Sequence, residues 1–89
     1  MKIIKKDGRV HDFDVKKIKT SINNAANDVS EMSLTESDIK LITEDCINKL
    51  KLIRKEDGIT SSYEVIGVIT EVLESDGFNL VLKEYIRHE

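Results

Sequence analysis

The 89-residue sequence has no proline and no tryptophan, one cysteine, four glycines and only 4% aromatic residues. Without proline, no ring removes a helical hydrogen bond, so helices can run wherever the apolar spacing allows. A lone cysteine, Cys46, excludes an internal disulfide and fits a reducing compartment, so the cytoplasm is expected. On an apolar face, it reads as a buried thiol. There is no Cys-x-x-Cys pair, and His11 and His88 lie far apart, so no metal site is expected. No apolar run approaches the roughly 18 residues of a membrane span. The chain opens directly on charged residues, so no signal peptide is expected either. No Walker-type glycine-rich loop is present, and no nucleophile–base pair stands out, so no catalysis is expected.

What is present is charge, 35% of the residues, beside 39% hydrophobic ones, with a net charge of −3. That balance describes one small globular domain with a modest core, and its sign argues against direct nucleic-acid binding. The charge is unevenly spread. Residues 1–20 hold seven basic and three acidic side chains, net +4, while the rest of the chain is net −7. A basic end on an acidic body points to a local anion site.

The basic end is also the most structured stretch to read. Two strand-like runs, residues 2–5 and 9–13, flank Asp7-Gly8, the pattern of a hairpin with a type I′ turn. Asp14 follows at an N-cap position. A first helix is expected over residues 14–26, with Ile18, Ile22, Ala25 and Ala26 on one face. Lys16 and Lys17 then fall in its first turn, where the helix dipole disfavours each cation by roughly 0.3–1 kcal/mol unless an anion is near. A bound phosphate chain would relieve that conflict.

Three more helices follow. Thr35-Glu36-Ser37-Asp38 has the form of a capping box ahead of a helix over residues 35–54. Its stripe is Ile39, Ile42, Cys46, Leu50 and Ile53, widened by Leu41, Ile47 and Leu52. Val29 and Met32 are expected to tuck inward from the preceding connection. Lys55-Glu56-Asp57-Gly58 breaks the helix, and Ile59-Thr60 can add a very short strand to the hairpin. The third helix takes Ser61 or Ser62 as its cap and turns Val65, Ile69, Val72 and Leu73 inward, helped by Ile66 and Val68. Asp76-Gly77 ends it. Asn79 can cap a fourth helix carrying Leu80, Val81, Tyr85 and Ile86. The expected fold class is α+β, four helices under a small β cover.

These residues carry a resemblance. Ile-x-Lys-Lys-Asp-Gly, then Phe13-Asp14 and Lys17-Ile18, then Ile-Thr-Ser-Ser-Tyr-Glu-Val, then a closing Gly-Phe and Tyr-Ile, follow in the order found in the ATP-cone family. The resemblance covers essentially the whole chain, residues 1–89, and implies a single nucleotide-binding domain. The implied fold is a small four-helix bundle capped by an N-terminal β-hairpin and a short third strand, in a mixed sheet. The implied function is regulatory, not enzymatic. Such a domain binds ATP or dATP as effector, with Mg²⁺ carried by the phosphates, and controls overall activity and oligomerisation of a ribonucleotide reductase. The implied partners are other reductase subunits or domains, or a second copy of the chain. No nucleic-acid or membrane contact is implied.

The resemblance also implies a nucleotide-binding set. Lys5, Lys6 and Lys17 fall at phosphate-contacting positions, with Lys6 where arginine is commoner, a point charge in place of a bidentate fork. Ile3, Phe13 and Ile18 fall on the apolar lining of the adenine pocket. His11 and Asp14 fall near the adenine edge. Ser62 is the small hydroxyl residue at the start of the third helix, with Val65 one turn on. Ile66 stands where some reductases carry a polar residue. Arg87 follows the closing Tyr-Ile pair, as a basic residue often does.

Plainer readings stand beside these. Lys5 and Lys6 could guard a sheet edge, Phe13 and Ile18 could be ordinary core, and Ser62 could be only a cap. Two further functions remain open: the ATP-cone part of a nucleotide-responsive transcriptional regulator of reductase genes, and a protein-interaction module that has lost nucleotide binding.

Overall fold

In the computed structural model, residues 2–27, 29, 34–53 and 58–88 are described. The elements are β1 (Lys2–Ile4), β2 (Val10–Asp12), α1 (Lys16–Asn27), α2 (Glu36–Ile53), β3 (Ile59–Ser61), α3 (Ser62–Ser75) and α4 (Asn79–His88). The expected places of Met32, of Arg54 and of the break at Lys55-Glu56-Asp57 lie outside the described residues.

The hairpin forms, but not with the expected turn. Lys5 N–H donates to the Arg9 carbonyl at 2.8 Å, and Gly8 N–H donates to the Lys5 carbonyl at 2.9 Å. That is a three-residue loop, Lys6-Asp7-Gly8. Gly8 has φ 88°, and no described residue other than glycine has positive φ, so Asp7 cannot occupy a type I′ position. The Asp7 side chain gives the reason. Its Oδ1 accepts from Arg9 N–H at 3.0 Å and its Oδ2 from the Arg9 guanidinium at 2.8 Å. The paired guanidinium holds the Asp7 carboxyl below its usual pKa.

β1 is the middle strand, antiparallel to β2 and parallel to β3. Alternation turns Ile3 and its neighbour Thr60 inward, where both are buried. Ile4, Val10 and Ile59 stay exposed.

Each helix starts on local chemistry. Asp14 Oδ1 accepts from Lys16 N–H at 3.0 Å, so the expected cap is in place although the regular helix begins at Lys16. Thr35 and Asp38 form the full capping box, each backbone N–H donating to the other's side chain. Of the two serine candidates, Ser61 is the α3 cap, accepting from Glu64 N–H at 3.1 Å. The α3 end is a Schellman motif. Gly77 (φ 84°) donates to the Glu74 carbonyl, and Phe78 N–H donates to that of Leu73 at 2.8 Å. Asn79 is already inside α4, whose first bond runs from Leu82 N–H to the Phe78 carbonyl, so Asn79 is not its cap.

The helices pack in a ring: α1 touches α2 and α4, and α3 touches α2 and α4. The core holds Ile18, Ile22, Ala25 and Ala26 of α1, with Ile39, Ile42, Cys46 and Leu50 of α2. Val68, Ile69, Val72 and Leu73 of α3 and Val81 and Tyr85 of α4 complete it. Val29 packs against it, as expected. Three residues given to the α2 stripe do not belong there. Leu41, Leu52 and Ile53 are exposed. At about 100° per residue, Leu41 and Leu52 fall roughly a quarter turn outside the arc of Ile42, Cys46 and Leu50. Ile53 lies on that arc but at the helix end. On α4, Leu80 and Ile86 are exposed for the same reason, leaving Val81 and Tyr85 as the buried pair.

Candidate functional site

A cavity of about 220 Å³ opens between the sheet and the bundle. Its walls come from five elements. β1 and the loop after it contribute Ile3, Lys5 and Lys6, and the segment between β2 and α1 contributes Phe13 and Asp14. α1 gives Lys17, Ile18 and Ser21; α3 gives Ser62, Val65, Ile66 and Ile69; and α4 gives Tyr85. Burial sorts these residues by depth. Ile3, Ile18, Ile69 and Tyr85 are buried, Phe13, Val65 and Ile66 half buried, and Lys6, Asp14 and Lys17 exposed. The cavity therefore has an apolar floor and a charged rim.

The structure thus brings together ten of the residues singled out in the sequence: Ile3, Lys5, Lys6, Phe13, Asp14, Lys17, Ile18, Ser62, Val65 and Ile66. His11 is outside this lining. It pairs with Ile3 across the hairpin, but β2 is an edge strand and all three of its residues are exposed. Ser21, Ile69 and Tyr85 were not singled out as site residues. Ile69 and Tyr85 were legible only as core positions. Ser21 could have been found by spacing alone, since it lies four residues after Lys17 and so on the same helix face.

The rim carries an unresolved repulsion. The Lys17 amine, close by, lowers the Lys5 pKa most; burial and like-charge repulsion lower it further, while Asp7 pulls it back up. Among the described residues, neither Lys5 nor Lys17 forms an ion pair with a carboxylate. Several basic side chains away from the rim do have such partners: Lys2 with Asp12, Arg9 with Asp7, Lys49 with Glu71 and Arg87 with Glu84. No acidic residue sits in the first turn of α1 to offset Lys16 and Lys17. Two neighbouring ammonium groups at a helix N-terminus form a place where an anion is stabilised by charge and dipole together. An apolar floor below them suits a flat ring.

Among the described residues, no group of three His, Cys, Asp or Glu side chains is placed to hold a metal ion. No helix of the described residues is long and apolar enough to cross a membrane. Cys46 is fully buried, and burial pushes its thiol pKa up to about 12.

Comparison with known proteins adds one match. The family model described as the ATP cone domain matches residues 1–89, the whole chain. No curated protein matches it.

Proposed function

The chain belongs to the ATP cone domain family, a family of nucleotide-binding regulatory domains, and we propose that residues 1–89 form one such domain, taking ATP or dATP as effector. In this reading the adenine enters between Ile3, Phe13, Ile18, Val65 and Ile66. The triphosphate lies over Lys5, Lys6 and Lys17, with the Ser62 end of α3 facing it. Asp14 stands at the rim near the base edge. His11, exposed on the edge strand, reaches the nucleotide only from outside the cavity. A volume of about 220 Å³ is below the 300–1,000 Å³ of sites that enclose a drug-sized ligand. The phosphates therefore stay in partial contact with water, and any Mg²⁺ arrives on them.

The observation that carries this reading is the Lys5–Lys17 pair, two cations near enough for one to lower the other's pKa, without a carboxylate partner among the described residues. A polyphosphate supplies the missing charge, and a charged hydrogen bond contributes about 1.5–3 kcal/mol. ATP and dATP differ by one hydroxyl, worth about 0.5–1.5 kcal/mol net. Opposite effector signs therefore need two assembly states that the two complexes stabilise differently. We place the domain in a ribonucleotide reductase, where such assembly would set overall activity in the cytoplasm. Its macromolecular partners are then other reductase subunits or a second copy of the chain.

Calorimetric titration with ATP and dATP tests the nucleotide step. Binding should raise the melting temperature, since ligand at a hundredfold its Kd stabilises by about 2.7 kcal/mol. Neither heat nor a melting shift at millimolar nucleotide would overturn it.

A further inference from the structure

Three threonines on the helices return their hydroxyl hydrogens to the backbone one turn earlier. Thr20 donates to the Lys16 carbonyl at 3.0 Å, Thr43 to that of Ile39 at 2.7 Å, and Thr70 to that of Ile66 at 2.8 Å. This is the ordinary fate of a hydroxyl inside a helix. Ser21 differs. Its hydroxyl makes no hydrogen bond to any described residue, although the side chain is half buried and lines the cavity.

Its position explains what the hydroxyl can do. Ser21 lies on the α1 face that carries Lys17, one turn and about 6 Å further along the axis. The other lining residues from the buried end, Ile18, Ile69 and Tyr85, are each no more than 2% exposed. Ser21 thus sets an unused hydroxyl beside Ile18, Ile69 and Tyr85, away from the charged rim. Water can satisfy it while the cavity is open. A flat ring filling the cavity displaces that water, and the hydroxyl must then be paired by the ring or left bare.

We propose that Ser21 contacts the ligand directly, its hydroxyl pairing with the polar edge of the nucleobase. A serine hydroxyl both donates and accepts, so it suits the amino group or a ring nitrogen of adenine. The distance from Lys17 favours the base over the phosphates. This inference rests on the nucleotide-binding reading and adds to it a contact that no motif in the sequence marks.

The test is S21A in the full chain, titrated with ATP, dATP, 3′-deoxy-ATP and inorganic tripolyphosphate, beside melting scans without ligand. The melting temperature of the free protein should hold or rise slightly, because the hydroxyl makes no bond to any described residue. Affinity should fall roughly three- to tenfold for ATP and both deoxy analogues, the range of one neutral hydrogen bond, and stay unchanged for tripolyphosphate. Equal ATP affinity in S21A and wild type overturns the inference and leaves the nucleotide reading standing. A loss that vanishes with one deoxy analogue moves the contact to the sugar and overturns it too. So does an equal loss with tripolyphosphate, or a melting temperature several degrees lower in the free variant. Failure of the wild type to bind ATP overturns the nucleotide reading itself, and this inference with it.

Discussion

Replacing Lys17 with alanine should make the free protein more stable and a worse nucleotide binder. Both signs follow from one arrangement. Lys17 stands in the first turn of α1, without an acidic neighbour in that turn, and its amine is near enough to lower the pKa of Lys5. Removing a cation from a helix N-terminus returns about 0.3–1 kcal/mol. For a chain this size, 1 kcal/mol moves the melting temperature by about 4–8 °C, so a rise of about 1–8 °C is expected. Bound ATP reverses the balance. Losing one charged hydrogen bond to phosphate, about 1.5–3 kcal/mol, weakens binding roughly 10- to 150-fold. Differential scanning calorimetry without and with ATP reads both effects. The pH dependence gives a third. Lys17 lowers the pKa of Lys5 below its ordinary 10.5, and phosphate raises it again, so binding takes up a proton near that lowered value. Above the pH at which the terminal phosphate is fully ionised, ATP affinity should be flat and then fall as pH rises through the free-state pKa of Lys5. In K17A that fall should move upward toward 10.5. A lower melting temperature for free K17A, or unchanged ATP affinity, refutes the reasoning.

The remaining predictions use other parts of the fold. Asp76 is held above its ordinary pKa of 3.8 by partial desolvation, then by the neighbouring Asp45 carboxyl group. A raised carboxyl pKa opposes folding above that value, and the penalty is gone below 3.8. Asp76→Asn should therefore add about 0.3–1 kcal/mol at pH 7, helped by its place at the α3 C-cap. The gain should shrink in acid melts, and a gain that grows in acid contradicts this account. Cys46, fully buried with a thiol pKa of about 12, should resist iodoacetamide at pH 8 until the chain unfolds; rapid labelling of folded protein would contradict the packing. His11→Ala should change ATP affinity less than about threefold, because His11 lies outside the cavity lining. A loss comparable to that of K17A would mean the nucleotide extends across β2.

Much of this architecture is written locally. The capping box at Thr35 and Asp38, the Asp14 cap and the Gly77 stop each depend on residues within a few positions, and each forms. The buried face of α1 is also fully legible, because Ile18, Ile22, Ala25 and Ala26 sit on one narrow arc. Asp-Gly marked the hairpin but not its turn. The pair fixes only where positive φ is easy, and the Asp7–Arg9 bonds select the three-residue loop.

The sequence by itself determined four helices, a basic hairpin and the residue types of the proposed polyphosphate site, because periodicity, caps and charge are properties of neighbours along the chain. Tertiary structure decided three other things. It set the width of the buried arc on α2, which leaves Leu41 and Leu52 outside. It set the parallel seat of β3 beside β1. It also brought Lys5, Ser21, Ile69 and Tyr85 to one cavity. Those residues come from four separate elements, so their meeting depends on how the elements pack, which local sequence does not encode.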